Sequence, residues 1–292
     1  MSEDIEPGSA RRDWWRAQWK QFRRSRLALP GLLLFAFFVL AGLLAPLIAP
    51  YSPYGNDLAN IMAEPSRQHW FGTDELGRDI FTRILYGARI SLMEGMLSAA
   101  IAAAIGVPIG MLSGYADKRV DAVIMRLIDV LLAFPGVLLA IVIISILGPS
   151  LANAILAVAI YTVPIFVRFA RGQTLAVKQE PYIEACRAMG MSNLRILARH
   201  ILPNIASTIM ALMTLRVGIN ILTCASLSFL GLGAQAPLPE WGAMLANSRT
   251  ALLIAPHLAL FPGLAILLLV FGLNLFQDGL QVMLDPKSRG RT

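Results

Sequence analysis

The sequence predicts an all-α membrane protein with six transmembrane helices and both termini on the cytoplasmic side. Composition is the first ground. Of the 292 residues, 57% are hydrophobic and 15% charged, where soluble domains carry about 25% charge; mean hydropathy is +0.64. The second ground is arrangement. The apolar residues fall into uncharged runs of about 20 residues or more, enough to cross a hydrocarbon core of about 30 Å. The third is positive charge. With the N-terminus inside, most of the 25 Lys and Arg gather on the cytoplasmic side. Arg67, Arg78, Arg83, Arg89 and Arg249 fall outside, and Arg216 lies within a span. That asymmetry sets membrane orientation. The net charge of +7 is therefore read as topology and contact with anionic lipid, not as a nucleic-acid footprint.

Residues 1–26 form a cytoplasmic tail. The start is polar with no apolar core, so no cleaved signal peptide is expected. Within it, Trp15, Trp19 and Phe22 share one helical face, and Arg16, Lys20, Arg23 and Arg24 lie toward the other. This is the pattern of a helix lying in the membrane interface. Residues 27–49 carry no charge and make the first span, with Pro46 and Pro50 at its outer end. Residues 50–89 are polar and broken by Pro and Gly, and read as a periplasmic segment whose acids pair with Arg78, Arg83 and Arg89.

The second span runs from Gly95 to Ala116. It is rich in Ala, Gly and Ser, which lets helices approach closely. Asp117, Lys118, Arg119 and Asp121 make a short inner turn. Val130 to Val167 is uncharged and, at 1.5 Å per residue, too long for one span. Gly148, Pro149 and Ser150 divide it, giving spans at 122–147 and 151–168. Arg126 and Asp129, three residues apart, are placed to pair on one helix face. A fifth span follows from Ile205 to Leu232. In residues 233–250, Gly233, Pro237, Pro239 and Gly242 favour a folded-back loop. The sixth span is Leu252 to Gln277, and residues 283–292 make a basic cytoplasmic tail.

Between the fourth and fifth spans lies a polar, basic stretch, residues 184–204. Glu184 to Met189 are tolerable helix formers. Gly190 can end that helix in a left-handed conformation, Ser192 or Asn193 can cap a second one, and Pro203 suits the start of a helix. The expectation is a cytoplasmic helical hairpin.

Motifs for covalent chemistry are missing. There is no GxxxxGK[ST] loop to cradle nucleotide phosphates, and no GxSxG, HExxH or Cys-x-x-Cys. His69, His200 and His257 are widely separated and split between the two sides, so no metal site is expected; nor is a disulfide between Cys186 and Cys224. The chain reads as a non-enzyme that binds no cofactor and draws its energy from elsewhere.

The hairpin resembles the EAA loop of ABC importer permeases, through Glu184, Ala185, Gly190, Leu202 and Pro203 at intact spacing. Cys186 replaces the second Ala of that pattern and His200 stands at its Ile position. The stretch from His69 to Leu92, with GTDxxGRD and GARxSL at its ends, closely resembles dipeptide and oligopeptide permeases. So do Ser228–Gly231 with residues 233–245, and the ending DGL with LDPK; the wording lies slightly nearer the glutathione-type permeases. The resemblance covers about residues 15 to 289.

It implies a type I ABC importer permease fold, with the transmembrane domain at 90–282 and the coupling hairpin at 178–203. It implies an inner-membrane subunit importing dipeptides, oligopeptides or glutathione. Its partners would be a second homologous permease in a heterodimer, two ATP-binding subunits holding ATP and magnesium, and a periplasmic substrate-binding protein. Glu184, Ala185, Cys186 and Arg187 would mark the coupling helix, Gly190 the bend, and His200, Leu202 and Pro203 the hinge into the fifth span, with Arg195 and Arg199 as polar contacts. A nickel importer permease shares the fold, although no His or Met cluster argues for it. An ion-coupled secondary transporter would call for repeated halves and several intramembrane carboxylates, which this sequence lacks. Arg216 has two readings: a contact for a peptide carboxylate, or an ion pair with Glu94. The ion pair is preferred, since an intramembrane Arg must face protein or water.

Overall fold

The computed structural model describes residues 27–284. The N-terminal tail, where an interfacial helix is expected, and the basic ending from residue 285 on lie outside the described residues. All regular elements among those described are helical, apart from one isolated antiparallel bridge between Thr73 and Asp79.

Helix α1, Ala28–Ile48, is apolar on every side and buries one narrow stripe of Ala28, Gly31, Phe38, Ala41, Gly42 and Ala45. Helix α2, Ile80–Tyr115, begins earlier than the predicted span. Asp79 caps it, its side chain accepting from the Thr82 N–H at 2.7 Å, so the polar stretch before Gly95 is helical too. Its 36 residues reach about 54 Å at 1.5 Å per residue, well beyond a bilayer core.

The predicted third span, 122–147, is not one straight helix. It is α3, Lys118–Leu132, and α4, Gly136–Leu147, bent by 85°. The break falls at Pro135, which lacks an N–H and pushes Phe134 out of helical geometry. Helix α4 has 12 residues, about 18 Å, too short to span alone. Gly148, with φ 89°, turns the chain into α5, Leu151–Lys178, where Ser150 accepts from the Asn153 N–H at 3.1 Å. The predicted pairing of Arg126 with Asp129 is corrected too: Asp129 pairs across to Arg168 of α5 at 2.7 Å.

Next come α6, Pro181–Ala188, and α7, Asn193–Ile196. A π-helical turn, Leu197–Ile201, leads into α8, Leu202–Phe229. The folded-back segment holds α9, Trp241–Asn247, and α10 runs His257–Leu284. Among the described residues, five helices are long and apolar enough to cross a membrane, or six if the bent pair counts as one span.

Small residues set the packing. Gly106, Gly110 and Gly114 make a stripe on α2 against α5. A Cβ on them would lie 2.7 Å from the Phe166 Cβ, 2.9 Å from the Ala170 Cβ and 2.8 Å from the Arg171 carbonyl. The two larger of four apolar clusters among the described residues position the site. One joins α1, α2, α8, α9 and α10 around Trp241, which is fully buried and donates its indole N–H to the Ile84 carbonyl at 3.1 Å. The other joins α2, α5 and α8 to the hairpin.

Candidate functional site

The hairpin is built from local rules. Pro181 occupies the first turn of α6, where its missing N–H is harmless. The helix ends in a Schellman motif: the Gly190 N–H reaches the Arg187 carbonyl at 2.9 Å, and the Met191 N–H reaches the Cys186 carbonyl at 3.1 Å. Gly190 carries the required positive φ of 77°. Ser192 stands at the start of α7, but no side chain caps there. The expected hinge at Pro203 takes a different form. Helix continues from Asn193 to Phe229 through the π turn, in which the Leu202 N–H bonds the Leu197 carbonyl. One residue later Pro203 offers no N–H, so the wider turn re-satisfies backbone that proline would orphan.

The predicted residues separate into two shells. Glu184, Ala185, Arg187 and Gly190 are exposed on α6 and its turn, and Leu202 and Pro203 are exposed at the start of α8. Cys186 is buried, with its Sγ 3.9 Å from the Nε2 of His200 in the π turn. The two positions that depart from the loop's usual pattern therefore touch each other. Ile183, Ile196 and Ile201 are fully buried beneath them. Met189 and Leu194 are 74% and 77% exposed on either side of the bend.

Sequence reasoning missed Tyr115, the last residue of α2. Its hydroxyl donates to Asn193 Oδ1 at 3.1 Å and accepts from Arg187 Nε at 3.1 Å. Its ring lies under the Arg187 guanidinium at 4.9 Å and the Lys178 ammonium at 5.3 Å, and Lys178 Nζ donates to its carbonyl at 2.7 Å. One tyrosine thus ties α2 to both arms of the hairpin. An aromatic at the end of a span was the available signal; its partners are 72 and 78 residues away. Asn204 adds a second tie, donating to the Tyr182 hydroxyl at 2.7 Å. Beside them Asp121 locks α3 to α5 through a two-point pair with Arg171 at 2.6 and 2.5 Å.

Arg216 and Glu94 do not form the expected ion pair. Glu94 is fully buried, with no hydrogen-bond partner for either carboxylate oxygen. Arg216 is half-buried on α8, its Nε also unpartnered, and it lines a cavity instead.

At the end of the bundle away from the hairpin, residues 49–79 and 230–256 form a cap. Arg83, 2% exposed, holds it together. It donates to the Pro53 carbonyl at 2.8 Å, to Pro237 and Leu238 carbonyls at 3.4 and 3.5 Å, and faces Asp74 at 3.5 Å. Asp74 pairs with Arg78 at 2.7 Å, as expected from the sequence, whereas Arg89 is exposed. Glu240 caps α9 through the Gly242 and Ala243 N–H groups at 2.8 and 2.7 Å. Burial pushes its carboxyl up to about 7, against the pull of those hydrogen bonds.

Residues 106–290 match the family described as binding-protein-dependent transport system inner membrane component, and residues 13–65 match the N-terminal transmembrane domain of oligopeptide transport permease C. The chain is 49% identical over 98% of its length to glutathione transport system permease protein GsiD of Escherichia coli O6:K15:H31 and of Shigella boydii serotype 4, covering 94% of each. Two inward-facing crystal forms of the MetNI methionine ABC transporter share the fold. TM-scores are 0.56 and 0.52 at 19% and 18% identity, covering 67% and 68% of this chain and 93% and 95% of those chains. Helical spans, hairpin and family match agree: the chain belongs to the binding-protein-dependent transport inner-membrane components, as a multi-pass ABC importer permease.

Proposed function

We propose that this chain is one of two homologous permease subunits that import short peptides, glutathione among them, and that its hairpin at 178–203 receives force from an ATP-binding subunit on the cytoplasmic side. The carrying observation is the hairpin's construction. Its inner face is anchored by Ile183, Ile196 and Ile201, while Met189 and Leu194 stand out on either side of the bend. Exposed apolar residues on a rigid turn are anchors for a groove on a partner. Glu184, Ala185 and Arg187 supply the polar rim, Gly190 the bend, and Cys186, His200, Leu202 and Pro203 the junction with α8.

ATP and magnesium sit on the partner subunits, and a periplasmic binding protein delivers the solute. Both termini face the cytoplasm. The peptide assignment rests on the 49% identity to a glutathione transport permease. Hinges sit at element ends while helices move as units; the continuous helix from Asn193 to Phe229 carries motion from the hairpin across the bundle.

The test uses the complete transporter in proteoliposomes. Glu184→Lys and Gly190→Pro are expected to insert normally yet lose uptake of labelled glutathione while ATP hydrolysis continues. Normal uptake in a membrane-inserted Gly190→Pro protein would reject the coupling role. Uptake of a dipeptide but not glutathione would redirect the substrate.

A further inference from the structure

A cavity of about 550 Å³ opens between α3, α5 and α8. Its volume falls within the range of small-molecule sites, roughly 300–1,000 Å³. Leu132, Ile165, Phe169 and Leu212 supply apolar wall. Two guanidinium groups reach it, and they differ. Arg168 is answered by Asp129 at 2.7 Å. Arg216 forms no ion pair with any described residue, and its Nε lacks a hydrogen-bond partner. The carboxylate expected to answer it, Glu94, is buried elsewhere and meets no cation.

An uncompensated guanidinium half-buried at membrane depth is costly. Its planar fork of N–H donors matches a carboxylate in two-point geometry. Its half-buried position beside apolar wall lowers the local dielectric and strengthens that attraction. We infer that this cavity is a binding subsite for a peptide in transit, with Arg216 holding its free C-terminal carboxylate and the apolar wall accepting its side chains. The inference rests on the reading of this chain as a peptide permease.

A second wall residue allows a test independent of the charge. Gly172 lines the cavity, and a Cβ there would meet nothing within 4 Å. Gly172→Leu therefore projects a bulky side chain into the cavity from a position whose Cβ meets no packed neighbour.

The experiment places the complete transporter in lipid nanodiscs without its binding protein. Affinities for trialanine and for trialanine amide are measured by saturation-transfer NMR. The wild type is expected to hold trialanine about tenfold more tightly than the amide, the scale of one charge-assisted contact. Arg216→Gln should lower trialanine to the level of the amide and leave the amide unchanged, and Arg216→Lys should restore part of the preference. Gly172→Leu should abolish binding of both. Equal affinities in the wild type, equal weakening of both probes by Arg216→Gln, absence of binding in the wild type, or an inert Gly172→Leu would each overturn the subsite. ATP hydrolysis stimulated by peptide-loaded binding protein is read in parallel. Its absence in the wild type would reject the peptide-permease reading, while its persistence in Arg216→Gln with no change in carboxylate preference would reject the subsite alone.

Discussion

Tyr115 contributes a hydroxyl, a ring face and a carbonyl, and each is used by the hairpin. Its removal should loosen transmission without unfolding the bundle. Tyr115→Ala is expected to raise the ATP hydrolysed per solute imported by roughly three- to tenfold, the size of coupling changes seen at positions outside either site. Tyr115→Phe, which keeps the ring under Arg187 and Lys178, should have a smaller effect. The ratio of the two rates in proteoliposomes checks both. Glu240 makes a pH prediction. Its folded carboxyl titrates near 7 against an ordinary 4.5, so between those values the folded protein holds more protons than the unfolded chain. Stability contributed by this group is therefore present at low pH and lost as pH rises from about 4.5 to 7. Glu240→Gln should flatten the melting temperature across that window, as read by thermal unfolding in detergent.

The hairpin was legible as an element because its rules are local. Glycine at a left-handed turn is read from adjacent residues, and Gly190 stands as expected. The bend at Pro135 was not read, because an uncharged run through Val130 to Val167 outweighed one proline. The continuous helix through the π turn was equally hidden, since Pro203 opening a new helix and Pro203 after a widened turn look alike in sequence. Packing between elements depends on the glycine stripe of α2. Gly110→Ala is expected to destabilise the bundle by about 1–3 kcal/mol, because the added methyl overpacks the α5 contact. Gly172→Ala, facing open space, should be neutral or slightly stabilising. Comparing their melting temperatures separates packing from helix propensity.

At the scale of the whole molecule, two ends do different work. The hairpin end is tied to the spans through Tyr115, Asn204 and the buried isoleucines. The opposite end is a cap whose segments, 150 residues and more apart, converge on Arg83. Arg83→Met is expected to cost about 3 kcal/mol, because several carbonyls lose a buried donor and Asp74 loses one of its two cations. Limited proteolysis should then open the cap first, before the spans, and simultaneous loss of both would show that the cap is not a separable layer. Between the two ends lies the Arg216 cavity, bounded by three helices that only meet in the fold.

The sequence by itself determined the helical membrane class, the hairpin and its turn, and the resemblance that the family match bears out. These depend on hydropathy and on residues within a turn of one another, where solvation and backbone geometry act locally. Tertiary structure alone decided which charges meet across helices. Asp129 turns to Arg168 instead of Arg126, and Arg216 faces a cavity instead of Glu94. Ion pairing depends on separations of a few ångströms across helices, and those are set by where Gly106, Gly110, Pro135 and Trp241 let the helices cross.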